Sequence, residues 1–375
     1  MISRYQLNYA KQRLFKGKAL IIFGPRQVGK TTFCNMMFKD LNKRVLHLNG
    51  DEADIRQLLA EPNRDMLINL IGKHEILFID EAQRIPDVGL AIKIVVDQIK
   101  GVQVIATGSS SFELAGHINE PLTGRKYEIQ LLPFNYHELE GHNSFLAEKR
   151  ALPQRLIYGA YPEIINKPEM AEEHLKLLTD SYLYKDLFAL EQLKKPQLME
   201  RLVKALALQV GSEVSYTELS RLVKADDKTV AKYIHLLEEA FVIFQLPGFN
   251  RNLRTEIRKG KKIYFWDNGI MNAVISDFKA LPQRIDIGKL WENYLVSERL
   301  KRNNMLRKKS QNYFWRTTQQ QEIDYIEETQ DYLLAAEFKW NPKKKVRFST
   351  TFTKAYSEAT TKVVSPENYH EFLGL

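Results

Sequence analysis

Short apolar runs alternate with amphipathic stretches along the N-terminal part of the chain. The stretches from Lys30 to about Asp40 and from Ala91 to Lys100 carry the apolar spacing of roughly 3.6 residues that is typical of helices. The apolar runs predict five buried strands, at Ala19 to Phe23, Val45 to Asn49, Ile76 to Asp80, Val102 to Thr107 and Tyr127 to Leu131. Strands and helices that alternate in this way predict an α/β fold with a parallel, doubly wound sheet.

The pattern changes after Pro133, where it becomes mostly helical and is punctuated by prolines. Further on, short helical patterns are followed by a mixture of strands and helices. The four predicted domains are an α/β domain at residues 1–133, a helical lid or linker at 134–195, a helix-rich segment with two strands at 196–275, and a small α/β domain at 276–375.

Composition narrows the class of protein. The 375 residues are 44% hydrophobic and 27% charged, which is typical of globular domains. No apolar run is long enough to cross a bilayer, and residues 1–16 lack the apolar core of a secretory signal, so we expect no membrane association and a cytoplasmic location. Cys34 is the only cysteine, which excludes intramolecular disulfides and cysteine-built zinc sites.

Lysine and arginine outnumber the acidic residues, giving a net charge of +9. This balance favours association with polyanions such as nucleic acids. Basic runs such as Lys343-Lys344-Lys345 are also typical of solvated surfaces, so the charge alone leaves both interpretations open.

A loop framed by glycines follows the first predicted strand and opens the first predicted helix. Its backbone N–H groups can point at phosphate oxygens, and the helix adds its positive N-terminal end. Lys30 supplies a charge for the β- and γ-phosphates, and Thr31 supplies a hydroxyl for Mg²⁺. The alternative is an ordinary glycine-rich turn between a strand and a helix. The predicted nucleotide-binding residues of this loop are Gly24, Pro25, Arg26, Gln27, Val28, Gly29, Lys30, Thr31 and Thr32.

Two adjacent carboxylates end the third predicted strand. We expect Asp80 to hold Mg²⁺ through water and Glu81 to polarise the attacking water as a general base. A glutamate directly after the metal-binding aspartate favours hydrolysis over passive binding.

Polar residues also follow the fourth predicted strand, at the sheet edge where ligands bind in open α/β sheets. Thr107 or Ser109 is a candidate to sense the γ-phosphate or orient the water, although serine-rich strand ends also serve as helix N-caps. Arg125 is the candidate cation for transition-state charge, including across a subunit boundary in a homo-oligomer, but most arginines lie solvated at the surface.

These motifs together resemble a bacterial and archaeal family of AAA-superfamily ATP-binding proteins. The matching N-terminal segments are Gly24 to Thr31, Phe78 to Glu81, Thr107 to Ser110, Gly124-Arg125 and Leu131 to Phe134. Blocks similar to those of the family's C-terminal half, whose function is formally unknown, occur at Lys262 to Gly269, Trp291 to Tyr294 and Glu337 to Lys339. The resemblance covers nearly the whole chain and implies a P-loop NTPase domain of the AAA type that binds ATP with Mg²⁺. It implies nuclease activity only through likeness of fold.

The segment from Leu198 to Gln245 has a helix-turn-helix layout. Ser215-Tyr216-Thr217-Glu218 is a capping box for its second helix, and Asp226 or Asp227 can cap the third. In that third helix the apolar face carries Val230, Ile234 and Leu237, and the opposite face carries Lys228, Thr229, Lys232 and His235.

This layout predicts a winged helix that engages DNA. Lys228, Thr229 and Lys232 lie near the start of the helix that would enter a major groove. Strand-like segments at Phe241 to Leu246 and Lys262 to Trp266 would form the wing, whose basic residues are Arg251, Arg254, Arg258 and Lys259. Winged helices also act as protein contacts or spacers, so DNA binding is one of two open interpretations.

The last segment predicts a helix at Lys289 to Arg302 and three strands, followed by a helix from Ser349 to Ala359. The strands are predicted at Gln311 to Arg316, Ile323 to Glu327 and Tyr332 to Lys339.

A hairpin of the second and third strands would place Asp324 beside Glu337, with Lys339 on the same face. Two converging carboxylates form an oxygen-rich Mg²⁺ site, and the lysine can orient a water. The set resembles the PD-(D/E)XK nuclease core, with Glu292 or Glu298 as a further metal ligand. A salt-bridged surface strand is the competing interpretation.

We therefore predict an ATP-hydrolysing AAA-type P-loop domain followed by a helical lid, a winged helix and a PD-(D/E)XK-like domain. ATP and Mg²⁺ are the expected cofactors, and DNA is the expected partner. The alternative is a nucleotide-controlled signalling or assembly protein whose C-terminal half binds a partner protein and performs no chemistry.

Overall fold

The computed structural model describes residues 2–109, 122–180, 196–249 and 260–374. The chain divides into two compact units. The N-terminal unit contains Met1–Pro133 with Glu239–Phe241, and the C-terminal unit contains Phe134–Glu238 and Val242–Leu375. Among the residues described, no helix combines the length and the apolar character needed to cross a membrane.

A five-stranded parallel sheet forms the centre of the N-terminal unit. Its strands are β1 (Ala19–Phe23), β2 (Val45–Asn49), β3 (Ile76–Asp80), β4 (Gln103–Gly108) and β5 (Lys126–Gln130). Their order is β2-β3-β4-β1-β5, so β4 lies between β1 and β3. The parallel α/β sheet predicted from the apolar runs is therefore confirmed, with strand ends that differ by at most one residue.

The described residues of this unit form five helices beside the sheet: α1 (Gln6–Arg13), α2 (Lys30–Phe38), α3 (Ala53–Leu58), α4 (Arg64–Ile71) and α5 (Val88–Gln98). Successive residues of β1 enter cores on opposite sides of the sheet, since Ile21 belongs to one cluster and Leu20 and Ile22 to the other. Burial on both faces explains why the strands are continuous apolar runs. The parallel pairing of the strands brings the carboxyl ends of β1, β3 and β4 to one edge of the sheet.

Residues 134–180, the described start of the C-terminal unit, contain four helices, α6 (Tyr136–Asn143), α7 (Phe145–Tyr158), α8 (Pro162–Asn166) and α9 (Ala171–Leu178). A capping box starts α6, because Asn135 accepts from the backbone of Glu138 and Glu138 accepts in return from the backbone of Asn135. The part of the predicted segment that the structure describes is therefore helical, as the sequence predicts.

Three helices and a three-stranded antiparallel sheet follow. In chain order they are α10 (Pro196–Leu208), β6 (Glu213–Val214), α11 (Tyr216–Val223), α12 (Asp227–Glu239), β7 (Ile243–Pro247) and β8 (Lys261–Phe265), and β8 is the central strand. Ser215 caps α11 by accepting from the Glu218 N–H, and Asp226 caps α12 by accepting from the Thr229 N–H. Of the two aspartates considered as caps for α12, Asp226 has this role. The predicted wing residues Arg251, Arg254, Arg258 and Lys259 lie outside the described residues.

The remaining elements form a second sheet with its helices. They are α13 (Asn268–Ile275), α14 (Ile287–Met305), β9 (Gln311–Arg316), β10 (Glu322–Glu328), β11 (Leu333–Phe338), α15 (Thr350–Ala355), β12 (Thr360–Val364) and α16 (Tyr369–Leu373). The order is β12-β11-β10-β9, antiparallel except for the parallel pair of β11 and β12.

The predicted helix from Ser349 to Ala359 is wrong in its second half. Only Thr350–Ala355 is helical, and β12 follows as a strand that the sequence analysis missed. Its run of Thr360-Thr361-Lys362-Val363-Val364 is β-branched at four of five positions, which favours a strand. Two exposed threonines at its start conceal the alternation that marks a half-buried strand.

The predicted second, third and fourth domains share one compact unit. Asn293 of α14 joins two of them, because its side chain accepts from the Phe265 N–H at 2.7 Å and donates to the Phe265 carbonyl at 3.1 Å. A backbone bridge between Gly248 and Phe314 joins the end of β7 to β9. These bonds place side chains from both sheets around a common acidic centre.

Candidate nucleotide site and acidic centre

The loop between β1 and α2 has the backbone shape of a phosphate cradle. Gly24 has φ +150°, and a Cβ there would lie 1.9 Å from the Leu131 carbonyl oxygen, so a side chain cannot be accommodated. Gly29 has φ +90° and is the N-cap of α2. Both ends of the loop therefore depend on glycine, as expected for a backbone that curls its N–H groups around an anion.

Lys30 lies at the first position of α2, and its side chain turns back over the loop. Its ammonium donates to the carbonyl oxygens of Gly24 and Pro25, both at 3.0 Å, and the residue is only 5% exposed. Burial lowers the pKa of Lys30 to about 8, although Glu81 and Asp80 act to raise it. A buried ammonium of this kind fits a strongly anionic ligand such as a polyphosphate, which would offset its desolvation.

The N-terminal segment supports the same loop from behind. The guanidinium of Arg4 donates to the carbonyl of Val28 at 2.6 Å and to that of Leu132 at 2.9 Å, and Arg4 is 6% exposed. This role could not be predicted from the sequence, because an isolated arginine near a chain end carries no local signal of burial.

Asp80 links the loop to β4. Its Oδ2 accepts from the Thr31 hydroxyl at 2.8 Å, and its Oδ1 accepts from the Thr107 hydroxyl. Asp80 and Thr107 are both buried. A carboxylate and two hydroxyls converge at the strand ends, which is oxygen-rich chemistry that fits Mg²⁺ with a nucleotide.

Glu81 follows Asp80 in the left-handed backbone conformation, at φ +49° and ψ +41°. A non-glycine residue there costs on the order of 1 kcal/mol and is typical of functional sites. The Glu81 N–H donates to Asp80 Oδ1 at 3.2 Å and to the Thr107 hydroxyl at 3.3 Å, while its carboxylate accepts from Gln83 at 2.6 Å. Gln83 was not predicted and lies two positions on in a one-turn 3₁₀ helix.

Gly50 at the end of β2 fits closely against the same turn. A Cβ on Gly50 would lie 2.3 Å from the Glu81 carbonyl oxygen, and the Gly50 N–H donates to the Asp80 carbonyl at 2.8 Å. The turn that presents Glu81 is thus in contact with the end of β2 and with the end of β4.

Two other predicted residues, Ser109 and Arg125, make contacts different from those expected. Thr107 contacts Asp80 as described, whereas the backbone N–H of Ser109 donates to Gln83 Oε1 at 3.3 Å. Arg125 precedes β5, and its carbonyl accepts from the N–H of Ala19 at the start of β1. It therefore lies at the sheet edge opposite Lys30, and its guanidinium donates to Asp97 at 2.8 Å. Within one chain the structure does not bring Arg125 to the nucleotide site.

The acidic centre of the C-terminal unit brings together the three residues predicted from the hairpin. Asp324 of β10 accepts from the Phe338 N–H at 2.7 Å. Lys339 donates to Glu337 at 2.7 Å and lies 3.6 Å from Asp324. Burial and the neighbouring Asp324 raise the pKa of Glu337 to about 7, while Lys339 acts to lower it.

Glu292, and not Glu298, faces this centre from α14. Glu292 accepts from the Lys262 ammonium at 3.1 Å and from the Tyr264 hydroxyl at 2.7 Å. Burial raises the pKa of Glu292 to about 7, with Lys262 opposing and Asp324 adding to the rise. Glu298 instead accepts from the Tyr136 N–H at 2.6 Å and pairs with Lys301 at 2.9 Å.

Lys262 and Glu322 are members of the acidic centre that the sequence analysis missed. The Lys262 side chain is 2% exposed and lies 2.5 Å from Glu322. Its burial acts to lower its pKa, but Glu292, Asp324 and Glu322 outweigh this effect and hold the pKa above its ordinary value. In the part of the chain that the structure describes, no three His, Cys, Asp or Glu side chains are arranged to hold a metal ion. The metal-binding role of Asp324, Glu337 and Glu292 stays a prediction.

The predicted nucleic-acid surface lies on α12. Val230, Ile234 and Leu237 are buried, and Lys228 and Lys232 are exposed, as the helical spacing predicts. The hydroxyl of Thr229 donates to Asp226 at 2.6 Å, so this threonine is part of the helix cap.

Comparison with known proteins agrees with the class that the fold and the loop define, a P-loop NTPase. Residues 16–140 match the model of an AAA domain. Residues 149–281 match a domain of unknown function (DUF8612), and residues 287–371 match another (DUF4143). The N-terminal unit is thus similar to an AAA domain, and the rest of the chain is similar to domains without an assigned role.

Similar whole proteins are uncharacterized. One from Mycobacterium tuberculosis is 28% identical over 327 residues, covering 84% of this chain and 69% of that protein. One from Methanocaldococcus jannaschii is 26% identical over 338 residues, covering 84% and 73%.

Two solved structures of Pif1 helicases match part of this chain weakly. The one described as unwinding forked double-stranded DNA has 18% identity and a TM-score of 0.22, and the match covers 29% of this chain and 34% of that one. The Candida albicans protein has 13% identity and a TM-score of 0.28, with 40% and 44% covered. These scores are too low for a functional argument.

Proposed function

We propose that the N-terminal unit hydrolyses ATP in the presence of Mg²⁺. The observation that carries this proposal is the convergence of Lys30, Asp80 and Glu81 at one edge of the sheet. The ion would supply positive charge that neutralises the phosphates. In this proposal Thr31 and Asp80 hold the ion, and Lys30 binds the β- and γ-phosphates.

Glu81 is the proposed general base. Its carboxylate needs hydrogen-bond reach to a water more than an unusual pKa. The backbone bonds from Glu81 to Asp80 and Thr107 fix its position relative to the metal-binding carboxylate, and Gln83 orients its side chain. Glu81 therefore accepts the proton of the water from a position set by β3 and β4.

Phosphate release by the full chain tests the proposal. Glu81→Gln should still bind ATP, and its turnover should fall by a factor of at least about 100, because general-base catalysis contributes at least that much. Lys30→Ala should lose binding. Glu61→Gln, at an exposed loop position, is the matched control and should behave as wild type. Unchanged turnover in Glu81→Gln would remove the base assignment.

We further propose that α10 to β8 form a winged helix that engages DNA. The supporting observations are the order of three helices with a three-stranded antiparallel sheet and the exposed Lys228 and Lys232 on α12. Ammonium groups at these positions contribute affinity for the phosphate backbone rather than base choice.

Binding to duplex DNA measured across salt concentrations tests this second proposal. Lys228→Ala and Lys232→Ala should each lower the slope of log affinity against log salt by about one. Lys279→Ala, another exposed lysine of the same unit, is the control. Absence of salt-sensitive binding would favour the alternative in which the C-terminal unit binds a partner protein.

The order α14, β9, β10, β11, α15, β12 supports the proposed PD-(D/E)XK-like fold of the last segment. Fold likeness does not establish cleavage, because function resides in the site. The arrangement of the acidic centre bears directly on that question.

A further inference from the structure

Four carboxylates and two ammonium groups make up the acidic centre. Lys339 pairs with Glu337 and Asp324, and Lys262 pairs with Glu292 and Glu322. The two lysines come from different sheets, since Lys262 belongs to β8 and Lys339 directly follows β11. Each lysine therefore bridges two carboxylates.

Lys262 is almost completely removed from solvent. Its side chain is 2% exposed, against 22% for Lys339. Burying an ammonium without a partner is very unfavourable, so a lysine at this depth requires carboxylates around it. Its two partners come from α14 and β10, and its ammonium also lies 5.5 Å from the ring centre of Phe314.

The Lys262 ammonium lies 3.1 Å from Glu292, one of the three predicted metal ligands, and 2.5 Å from Glu322, so a positive charge already stands beside these carboxylates. Mg²⁺ is bound through carboxylate oxygens at roughly 2.0–2.1 Å in near-octahedral geometry. Here Glu292 Oε1 already accepts from both Lys262 and Tyr264, and Asp324 Oδ2 accepts from the Phe338 backbone. A metal held through Glu292 Oε1 and Asp324 Oδ2 would compete with these donors and would be repelled by the Lys262 ammonium, so the residues as arranged do not fit the ion.

We propose that the Lys262 ammonium takes the place of a divalent metal ion in the acidic centre and joins β8 to α14 and β10. The centre is then a buried ion-pair cluster that holds the C-terminal unit together. It performs no metal-dependent strand cleavage in this arrangement. This inference is independent of ATP hydrolysis by the N-terminal unit.

Binding of Mn²⁺ to the nucleotide-free full chain tests the inference. Wild type and Asp324→Asn should bind Mn²⁺ equally, measured by calorimetry or by the loss of the free-ion electron paramagnetic resonance signal. Lys262→Met should gain one Mn²⁺ site that binds at least tenfold more tightly than any site of wild type. The double variant Lys262→Met with Asp324→Asn should lose this site. Any binding at Thr31 and Asp80 is common to all four proteins and cancels.

Lys308→Met is the matched control, because Lys308 also pairs with a buried carboxylate, Glu327, at 3.4 Å. It should gain no Mn²⁺ site. The thermal midpoint of Lys262→Met should rise with added Mn²⁺, and those of wild type and Lys308→Met should rise less.

Two results would overturn the inference. One is a Mn²⁺ site in wild type that Asp324→Asn abolishes. The other is a folded Lys262→Met protein that gains no site. If Lys262→Met does not fold, the comparison of wild type with Asp324→Asn decides alone. Equal Mn²⁺ binding then supports the inference, and a site lost in Asp324→Asn contradicts it.

Discussion

The hydroxyl of Thr107 donates to Asp80 Oδ1, which joins the end of β4 to the end of β3. The same hydroxyl oxygen accepts from the Glu81 N–H at 3.3 Å. One buried side chain thus positions both carboxylates of the proposed hydrolytic site. From the sequence, Thr107 is a candidate to sense the γ-phosphate or to orient the water, with a helix cap as the alternative. This geometry favours a positioning role.

Thr107→Val tests that role. Valine keeps the shape but leaves Asp80 Oδ1 and the Glu81 N–H without this partner, so we expect kcat for ATP to fall roughly tenfold, with a small change in KM. Thr107→Ser restores the hydroxyl and should restore kcat. A Thr107→Val enzyme with wild-type kcat would show that the hydroxyl does not position the site.

Nucleotide binding should be coupled to proton uptake at Lys30. In the nucleotide-free protein the pKa of Lys30 is about 8, so roughly half of the Lys30 side chains are neutral at pH 8. Bound phosphates favour the charged form and raise the pKa. Binding near pH 8 should therefore take up about half a proton, and the uptake should vanish as the pH falls well below that value.

Calorimetry in two buffers with different ionisation enthalpies measures this uptake. Lys30→Arg is the control, since a guanidinium stays charged and should show none if the variant binds. Identical apparent enthalpies for wild type in both buffers near pH 8 would contradict the prediction.

Arg125→Ala should leave ATP turnover of the dilute protein unchanged within about twofold, since the side chain pairs with Asp97 at the far edge of the sheet. Turnover measured against protein concentration completes the test. A loss that appears only as concentration rises would support the prediction that Arg125 acts across a subunit boundary. A loss at all concentrations would contradict the placement.

Glu327 should make the C-terminal unit sensitive to acid. Burial opposes its ionisation, but Arg299 and further donors outweigh this effect and lower its pKa from 4.5 to about 2. A lowered carboxyl pKa stabilises the fold above pH 4.5, and this contribution is lost as pH falls from 4.5 towards 2. The difference corresponds to about 3 kcal/mol at neutral pH.

Urea unfolding followed by tryptophan fluorescence isolates this effect, because all four tryptophans lie in the C-terminal unit. Glu327→Gln should lower the free energy of unfolding by about 3 kcal/mol at pH 7, since it leaves Arg299 buried without its charge partner. The free energy of unfolding of Glu327→Gln should also fall less steeply than that of wild type as the pH decreases below 4.5. Glu328→Gln, the partly exposed neighbour, is the control.

Much of the N-terminal unit could be predicted from sequence, for a physical reason. Strands buried on both faces must be continuously apolar, so β1 and β3 are visible as runs. The loop at Gly24 to Thr31 is local, and each of its constraints acts within a few residues. Arg4 and Gly50 were missed because their contacts, with Val28 and Glu81, depend on chain segments that are distant in sequence.

The C-terminal centre shows the opposite case. Asp324, Glu337 and Lys339 could be predicted because one hairpin brings them together. Lys262 could not, since Lys261-Lys262 is like any solvated basic pair until Glu292 and Glu322, 30 and 60 positions later, close around it. A buried charge is stabilised by its partners, and these partners cannot be predicted from the local sequence when they are distant along the chain.

The position of Lys262 also determines where the gene can be cut. A fragment that starts at residue 276 would carry Glu292 and Glu322 without Lys262, and it would expose the strand surface that β7 covers. The segment border visible in the sequence is therefore a poor choice for an expression boundary, and the last hundred residues should be produced together with everything from residue 134 onward.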